Sequence, residues 1–299
     1  MGELLVFFNF YFVPGLVLGS IYALGAIGVS LVFGILRFAH FAHGDLMSVG
    51  AFIALAVVST TGMDPLYAIP FAIVGTVAIT LGLDKVFYKP FRDKSTIVLV
   101  IASFGVALML RSLILVAWGG EVQTYSVGIV RPLVFLDSIR IAERHIWIIA
   151  LTVFLMLVVH WLLTRTRTGK AMRAVSDSPE LARLAGISTE NVVKATWIVG
   201  GSLCACAGVF IGWDTQLQAT MGWDLMLPIF AATILGGIGR PYGAMAGGLI
   251  IGMAEEISAY AWLGDGPLLS PGYKTGIAFA IMVLMLIWRP SGLFRGRVY

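Results

Sequence analysis

Long, nearly unbroken apolar runs separated by short polar intervals dominate this chain. Each run is close to the roughly 20 residues a helix needs to cross a bilayer, so the pattern predicts a succession of membrane spans. The first covers about Tyr11 to Gly34, with Gly15 and Gly19 in the small-xxx-small spacing that lets helices approach closely. The polar patch LRFAHFAHGDLM then interrupts the run, and Gly44 or Asp45 can start a second span reaching about Thr60. Asp64-Pro65 opens a third that ends near Leu83, and the fourth covers about Thr96 to Trp118. The fifth runs from about His145 to Leu163 and the sixth from about Val192 to Trp213. The run LMLPIFAATILGGIGRPYG is short and interrupted by Pro228 and glycines, which predicts a broken or re-entrant seventh segment turning at Arg240-Pro241. An eighth span, about Tyr242 to Ala261, carries the pairs Gly243/Gly247 and Gly248/Gly252, and a ninth covers about Tyr273 to Trp288. The expected fold is therefore an all-α polytopic integral membrane protein with about nine transmembrane helices, within a range of eight to ten.

The longest polar interval, Thr164 to Lys194, stands out against this background. It holds Arg165, Arg167, Lys170, Arg173, Arg183 and Lys194 against Asp177, Glu180 and Glu190. A short capped helix is expected inside it. Ser178 suits the N-cap, Pro179 the first helical position and Glu180 the positive N-terminal dipole, while Gly186 is a natural C′ stop. Leu181, Leu184 and Ala185 would share one face, giving this helix something to dock against. The alternative is a solvated connector. The whole of 1–299 then reads as a single transmembrane domain with one dominant basic loop at 164–194.

Composition agrees with the spans. The 299-residue chain is 59% hydrophobic and 12% charged, against about 25% charged in a soluble domain. Continuous runs also argue against an outer-membrane barrel, whose strands alternate. The first apolar segment is too long for a signal-peptide core and lacks a basic leader, so it is kept as a span. The net charge of +4 follows from loop asymmetry and requires no nucleic acid. Placing 164–194 inside also puts Arg37, Lys85, Lys89, Arg92, Lys94, Arg240, Arg289, Arg295 and Arg297 inside, leaving Arg131, Arg140, Arg144 and Lys274 outside. That orientation puts the N-terminus outside and the C-terminus in the cytoplasm, which requires an odd number of spans. Cys204 and Cys206 lie two apart on one apolar helix and point to different faces, so neither a disulfide nor a metal site is expected.

No catalytic constellation is visible. Gly169-Lys170 lacks the upstream glycine of a phosphate loop and is followed by Ala171, and there is no HExxH, GxSxG or Cys/His cluster. The chain is not expected to be an enzyme or to hold a cofactor, and any ATP must be bound and hydrolysed by another chain. Ionisable residues inside spans are the default functional candidates. Arg111 lies about seven residues from the outer end of its span and either snorkels to the interface or faces a substrate path. Glu255 and Glu256 are adjacent near the outer end of span eight, so one is expected to face the bundle interior and the other the interface; either is a candidate for the substrate path. His43 and Asp45 sit at the inner mouth of span two, where Asp45 is most simply a helix cap. A paired set of midplane acids, usual in ion-driven carriers, is missing; the Pro228 interruption is the one feature that such a carrier would share.

Several segments in order resemble one family. They are Gly19-Ser-Ile-Tyr-Ala-Leu24, Phe41-Ala-His-Gly-Asp-Leu46 with His43, Gly44 and Asp45, Tyr88-Lys-Pro-Phe-Arg92 with Pro90 and Arg92, and Ile101-Ala-Ser-Phe-Gly105. Thr168-Gly-Lys-Ala-Met-Arg-Ala174 through Ala185-Gly-Ile187, Leu235-Gly-Gly-Ile-Gly239, Ser270-Pro-Gly-Tyr-Lys274 and Arg289-Pro-Ser-Gly-Leu-Phe294 (with Pro290) complete the set. Together they resemble the LivH-type permease subunit of branched-chain amino-acid ABC importers, over nearly the whole chain. The resemblance implies a half-translocator in the inner membrane. It would pair with a second related permease, two ATP-binding cassette subunits and an extracytoplasmic amino-acid-binding protein, with membrane lipid around it. The 164–194 loop would be the coupling element, its short helix seated on an ATPase subunit. Phe91 departs from the family's usual leucine, and the histidine pair His40/His43 is less usual than an asparagine-led version. Related permeases that move urea or short amides are the nearer alternative, and an ion-coupled secondary carrier the more distant one.

Overall fold

A computed structural model describes residues 2–125, 133–135, 139–261 and 271–294. Arg131, Asp137, Ser270, Arg295 and Arg297 lie outside the described residues. Helix α1 (Gly2–Phe7) continues through a π-helical stretch (Phe8–Phe12) into α2 (Val13–Leu36), so the first span starts well before Tyr11. Then follow α3 (Ala42–Thr61), α4 (Pro65–Leu83), α5 (Thr96–Trp118), α6 (Glu143–Arg165), α7 (Arg167–Asp177), α8 (Pro179–Leu184), α9 (Thr189–Asp214), α10 (Met221–Gly236), α11 (Pro241–Ser258) and α12 (Lys274–Trp288). Beside the helices, the described residues form a small antiparallel hairpin, β1 (Leu133–Phe135) with β2 (Ile139–Ile141), pairing Leu133 with Ile141, and an isolated antiparallel bridge between Gln123 and Leu217.

Six of these helices are long and apolar enough to cross a membrane. Helices α10 and α12 are apolar but shorter, at 16 and 15 residues, and α11 has 18. The apolar residues are distributed differently in the centre and at the edge of the bundle. In α2, α3 and α9 the most apolar window is 83%, 78% and 78% buried, whereas in α4, α5 and α6 it is 28%, 33% and 22% buried. A helix that is apolar all round and buried all round belongs in the middle; one that is apolar but mostly uncovered must face lipid or another protein.

Small residues set the central packing. Helices α2 and α11 run antiparallel, with Gly15 against Met253 and Glu256, Gly19 against Gly252, and Ala23 against Gly248. The glycines of α11 serve two neighbours: Gly248 and Gly252 meet α2, while Gly243 and Gly247 meet Gly236 and Ala232 of α10. A Cβ on Gly247 would stand 2.0 Å from the Ala232 carbonyl oxygen. Such close approach replaces the hydrophobic drive that helices in lipid lack.

The seventh segment is not broken at Pro228. Helix α10 runs through that proline to Gly236, and the turn falls at Gly237–Arg240 before Pro241 starts α11. Proline removes one N–H and one hydrogen bond, which a helix packed on α2, α3 and α11 can absorb.

The link between α2 and α3 reaches further into the bundle than expected. Arg37, with φ of 57°, adopts the left-handed conformation and donates from its N–H to the Phe33 carbonyl, ending α2. The chain then turns inward, with Phe38 and His40 each 1% exposed. The Phe41 N–H donates to Ser103 Oγ at 3.2 Å, seven residues or about 10 Å along α5. Non-helical backbone is tolerated at that depth because protein covers it. His43 and Asp45 therefore lie inside the bundle and not at its mouth.

Candidate functional site

The 164–194 interval contains two helices where one was expected. Thr166 caps α7 by accepting from the Gly169 N–H at 3.0 Å. Gly169, Met172 and Val175, spaced by three, are the buried face of α7; the spacing of Met172 and Val175 was the signal available for this helix. Gly169 touches backbone, since a Cβ there would stand 2.1 Å from the Leu162 carbonyl oxygen. Arg173 lies on α7 and lines a cavity of about 380 Å³ with Ser30, Arg240 and Tyr242, away from α8.

Helix α8 has the expected ends. Ser178 Oγ accepts from the Leu181 N–H at 3.4 Å, Pro179 is first in the helix and Glu180 lies in its first turn. Gly186, with φ of 79°, follows it; the Gly186 N–H donates to the Arg183 carbonyl and the Ile187 N–H to that of Ala182. These two bonds make a Schellman ending. The face expected to dock does not dock within this chain. Ala182 is the buried residue of α8, whereas Leu181 and Leu184 are 66% and 85% exposed. A helix of under two turns can press only one side onto α7 and α9, and the leucines occupy the other.

Arg111 does not snorkel to the interface but turns onto Asp45. Its Nε and Nη2 donate to Oδ1 and Oδ2 of Asp45 at 3.1 and 3.3 Å, and its guanidinium lies 5.1 Å from the Trp223 ring centre. Asp45 is fully buried and makes no cap bond; the N-cap of α3 is Phe41, which has no side-chain cap either. The expectation of Asp45 as a cap fails because its partner is 66 positions away, beyond any local signal.

The two glutamates part as neighbours on a helix must. Glu255, 2% exposed, accepts from the Tyr22 hydroxyl at 2.7 Å through Oε2, while its Oε1 has no partner among the described residues. Glu256 pairs with Lys274 at 2.8 Å. Tyr22 also lines an open cavity of about 490 Å³, together with Thr215, Gln216, Gln218, Asp224 and Thr275. Arg111 is not part of that cavity. Asp224, which lines it, is also within electrostatic reach of Arg111.

The family-motif residues hold the frame. The His43 ring sits against Gly28 and 3.2 Å from Cys204 Sγ. Gly44 meets Gly222 backbone to backbone, which fixes the start of α10 against α3. Tyr88 shares a 2.9 Å hydrogen bond with His40 Nε2 and stacks on Trp197 at 5.3 Å. Pro90 shapes a single 3₁₀ turn after it, and Arg92 reaches back to both carboxylate oxygens of Asp84. Arg289 is the C-cap of α12 and Pro290 ends that helix. The chain beyond returns so that the Leu293 and Phe294 N–H groups donate to the Leu235 and Gly236 carbonyls, satisfying two orphan acceptors at the end of α10. Cys204 and Cys206 are free and buried. Trp223, Asp84, Tyr22 and Trp197 were not singled out from the sequence. Trp223, Tyr22 and Trp197 are partners brought in from distant helices, whereas Asp84 lies eight residues before Arg92.

A bundle of apolar helices with buried charge inside and capped polar helices at one end is a polytopic membrane subunit of transport type. A family model described as "Branched-chain amino acid transport system / permease component" matches residues 11–286, and the chain belongs to this family of ABC-importer permease subunits, whose ATPase is on separate subunits. It is 31% identical over 294 residues to the high-affinity branched-chain amino acid transport system permease protein BraD of Pseudomonas aeruginosa, covering 94% of each. It is likewise 31% identical over 308 residues to LivH of Escherichia coli strain K12, covering 98% of this chain and 97% of that one. Among solved structures, PsaBC from Streptococcus pneumoniae in complex with Fab has a TM-score of 0.50 at 15% identity, covering 93% of this chain and 91% of that one; this is a likeness of fold. The chain is thus a transport subunit of the inner membrane and not an enzyme.

Proposed function

We propose that the chain carries branched-chain or other hydrophobic amino acids across the inner membrane as half of an importer's membrane pathway. The other half is a second, related permease. Two ATP-binding cassette subunits supply the energy, an extracytoplasmic binding protein delivers the amino acid, and lipid surrounds the remaining apolar surface. Nine crossings put the N-terminus outside and the C-terminus in the cytoplasm, with α10, α11 and α12 as the three short ones. Residues 1–299 act as one transmembrane domain, and 164–194 is its cytoplasmic coupling loop.

The observation that carries this reading is the apolar pair Leu181 and Leu184, exposed on a fully capped helix within a basic loop. Exposed leucines on a rigid, capped turn are what a groove on a partner can grip. Ser178, Pro179, Glu180 and Gly186 hold that turn in shape, and Arg173 on α7 links it to the α10–α11 turn through the cavity they share. Closure of the ATPases would move α8, and α7 would pass the motion to the packed core. Arg111, Glu255 and Glu256 lie along the path on the far side.

The test is uptake by the importer expressed with its neighbouring genes and reconstituted in proteoliposomes. Leucine, isoleucine or valine should enter only with ATP and the binding protein present. Uptake by this chain alone along an ion gradient would overturn the reading, and uptake of urea or short amides in place of amino acids would overturn its substrate.

A further inference from the structure

A buried ion pair in a membrane bundle needs a reason to exist. Taking both charges out of water is costly, and well-packed apolar residues of similar volume are often as stable. The Arg111–Asp45 pair sits in the half of α5 away from the 164–194 loop, with side-chain exposures of 17% and 1%. Asp45 engages only Nε and Nη2 of Arg111, which leaves the Nη1 edge without a hydrogen-bond partner among the described residues. A guanidinium has five N–H donors in a fixed plane, suited to a second carboxylate. Trp223 covers its face at 5.1 Å, and Asp224, the next residue on α10, is exposed and within electrostatic reach.

Next to this charged corner is an apolar strip. Trp223 lies 5.7 Å from Phe104, Phe104 lies 6.0 Å from Phe41, and Phe41 lies 5.3 Å from Phe230, measured between ring centres. The four rings come from α10, α5 and the α2–α3 link, and Phe104 and Trp223 are 41% and 37% exposed. An acceptor for ammonium, a donor for carboxylate and an aromatic strip beside them are the three features of an apolar α-amino acid.

Resting on the amino-acid importer reading above, we propose that this corner is a substrate-binding station in the membrane. Arg111 holds the substrate carboxylate, Asp224 holds its ammonium, and the rings of Trp223, Phe104 and Phe41 hold its apolar side chain. Asp45 is a positioning residue that keeps the guanidinium plane turned toward the open edge. A zwitterion adds no net charge to the site, so it can enter a poorly solvated place where an amine or a carboxylate alone would leave one charge unmatched.

The experiment uses the whole importer in nanodiscs. Cys204 and Cys206 are buried, so Phe104→Cys on the exposed strip gives this chain an accessible thiol, and labelling by a water-soluble thiol reagent is scored on this chain alone against the importer without the substitution. Leucine should slow its labelling, whereas leucinamide and isopentylamine should not. Adding Asp224→Asn should raise the leucine concentration for half-protection at least tenfold. In an otherwise wild-type importer, Asp224→Asn should raise the KM for leucine uptake by a similar factor with little change in kcat or in the yield of complex. A Phe104→Cys thiol that does not label, labelling that leucine leaves unchanged, or Asp224→Asn values equal to wild type would each overturn the assignment. Wild-type uptake separates the two readings. An importer that takes up leucine while failing these tests removes only the station; one that takes up no apolar amino acid removes the proposed function.

Discussion

The Tyr22 hydroxyl donates a 2.7 Å hydrogen bond to Glu255 Oε2, joining α2 to α11 where both are buried. This polar contact lies between helices that otherwise meet through glycine, and it sits behind the cavity that Tyr22 lines. Removing the donor strands a buried carboxyl, at a cost of about 1–3 kcal/mol. Tyr22→Phe should therefore lower the Tm of the purified importer, whereas Glu255→Gln, which keeps an oxygen acceptor, should lower it less. Equal Tm values for Tyr22→Phe and wild type would show that the bond contributes nothing.

The glycine seam between α2 and α11 has a sharper test. A Cβ on Gly252 would stand 2.2 Å from the Gly19 backbone nitrogen, whereas one on Gly276 in α12 meets nothing within 4 Å. Gly252→Ala forces two helix backbones apart, and overpacking of this kind costs about 1–3 kcal/mol. Gly276→Ala should be neutral or stabilise by up to about 1 kcal/mol through helix propensity. Size-exclusion profiles of the two variants after mild heating check the contrast, and matching profiles would contradict the close packing.

At the loop end of the bundle, Arg92 and Asp84 pair with side-chain exposures of 22% and 8%. Breaking a pair this well covered by Arg92→Gln leaves a carboxylate facing protein, at a cost of about 3 kcal/mol. The double variant Asp84→Asn/Arg92→Gln should recover most of that loss. A double-mutant cycle on thermal unfolding measures the coupling; additive losses would mean the two residues act independently.

Much of the architecture was legible because spans are long and apolar. The expected limits of Thr96 and Trp118 for the fourth span coincide with α5, where Ser95 and Gly119 flank an uninterrupted run. The caps of α8 were also readable, since Ser178, Pro179 and Gly186 act within a few residues of themselves. Pro228 misled because a proline's cost is local while the support that carries α10 through it comes from α2, α3 and α11. Helix α7 was lost in the surrounding charge, although its buried face needed only Gly169, Met172 and Val175. The Asp45–Arg111 pair and the Trp223 ring above it join three helices, and no spacing along the chain encodes such a meeting.

Coupling through α8 is the claim on which the account most depends. The most direct measurement compares the wild-type importer with a Leu181→Asp/Leu184→Asp variant, scoring ATPase subunits that co-purify and ATP hydrolysis stimulated by loaded binding protein. Both leucines are exposed, so the variant should fold and insert normally. The expected result is normal membrane yield of this chain with the ATPases lost, or retained without stimulated hydrolysis. Full co-purification with wild-type stimulation would contradict the account, because it would mean that these two leucines touch nothing that matters for transport.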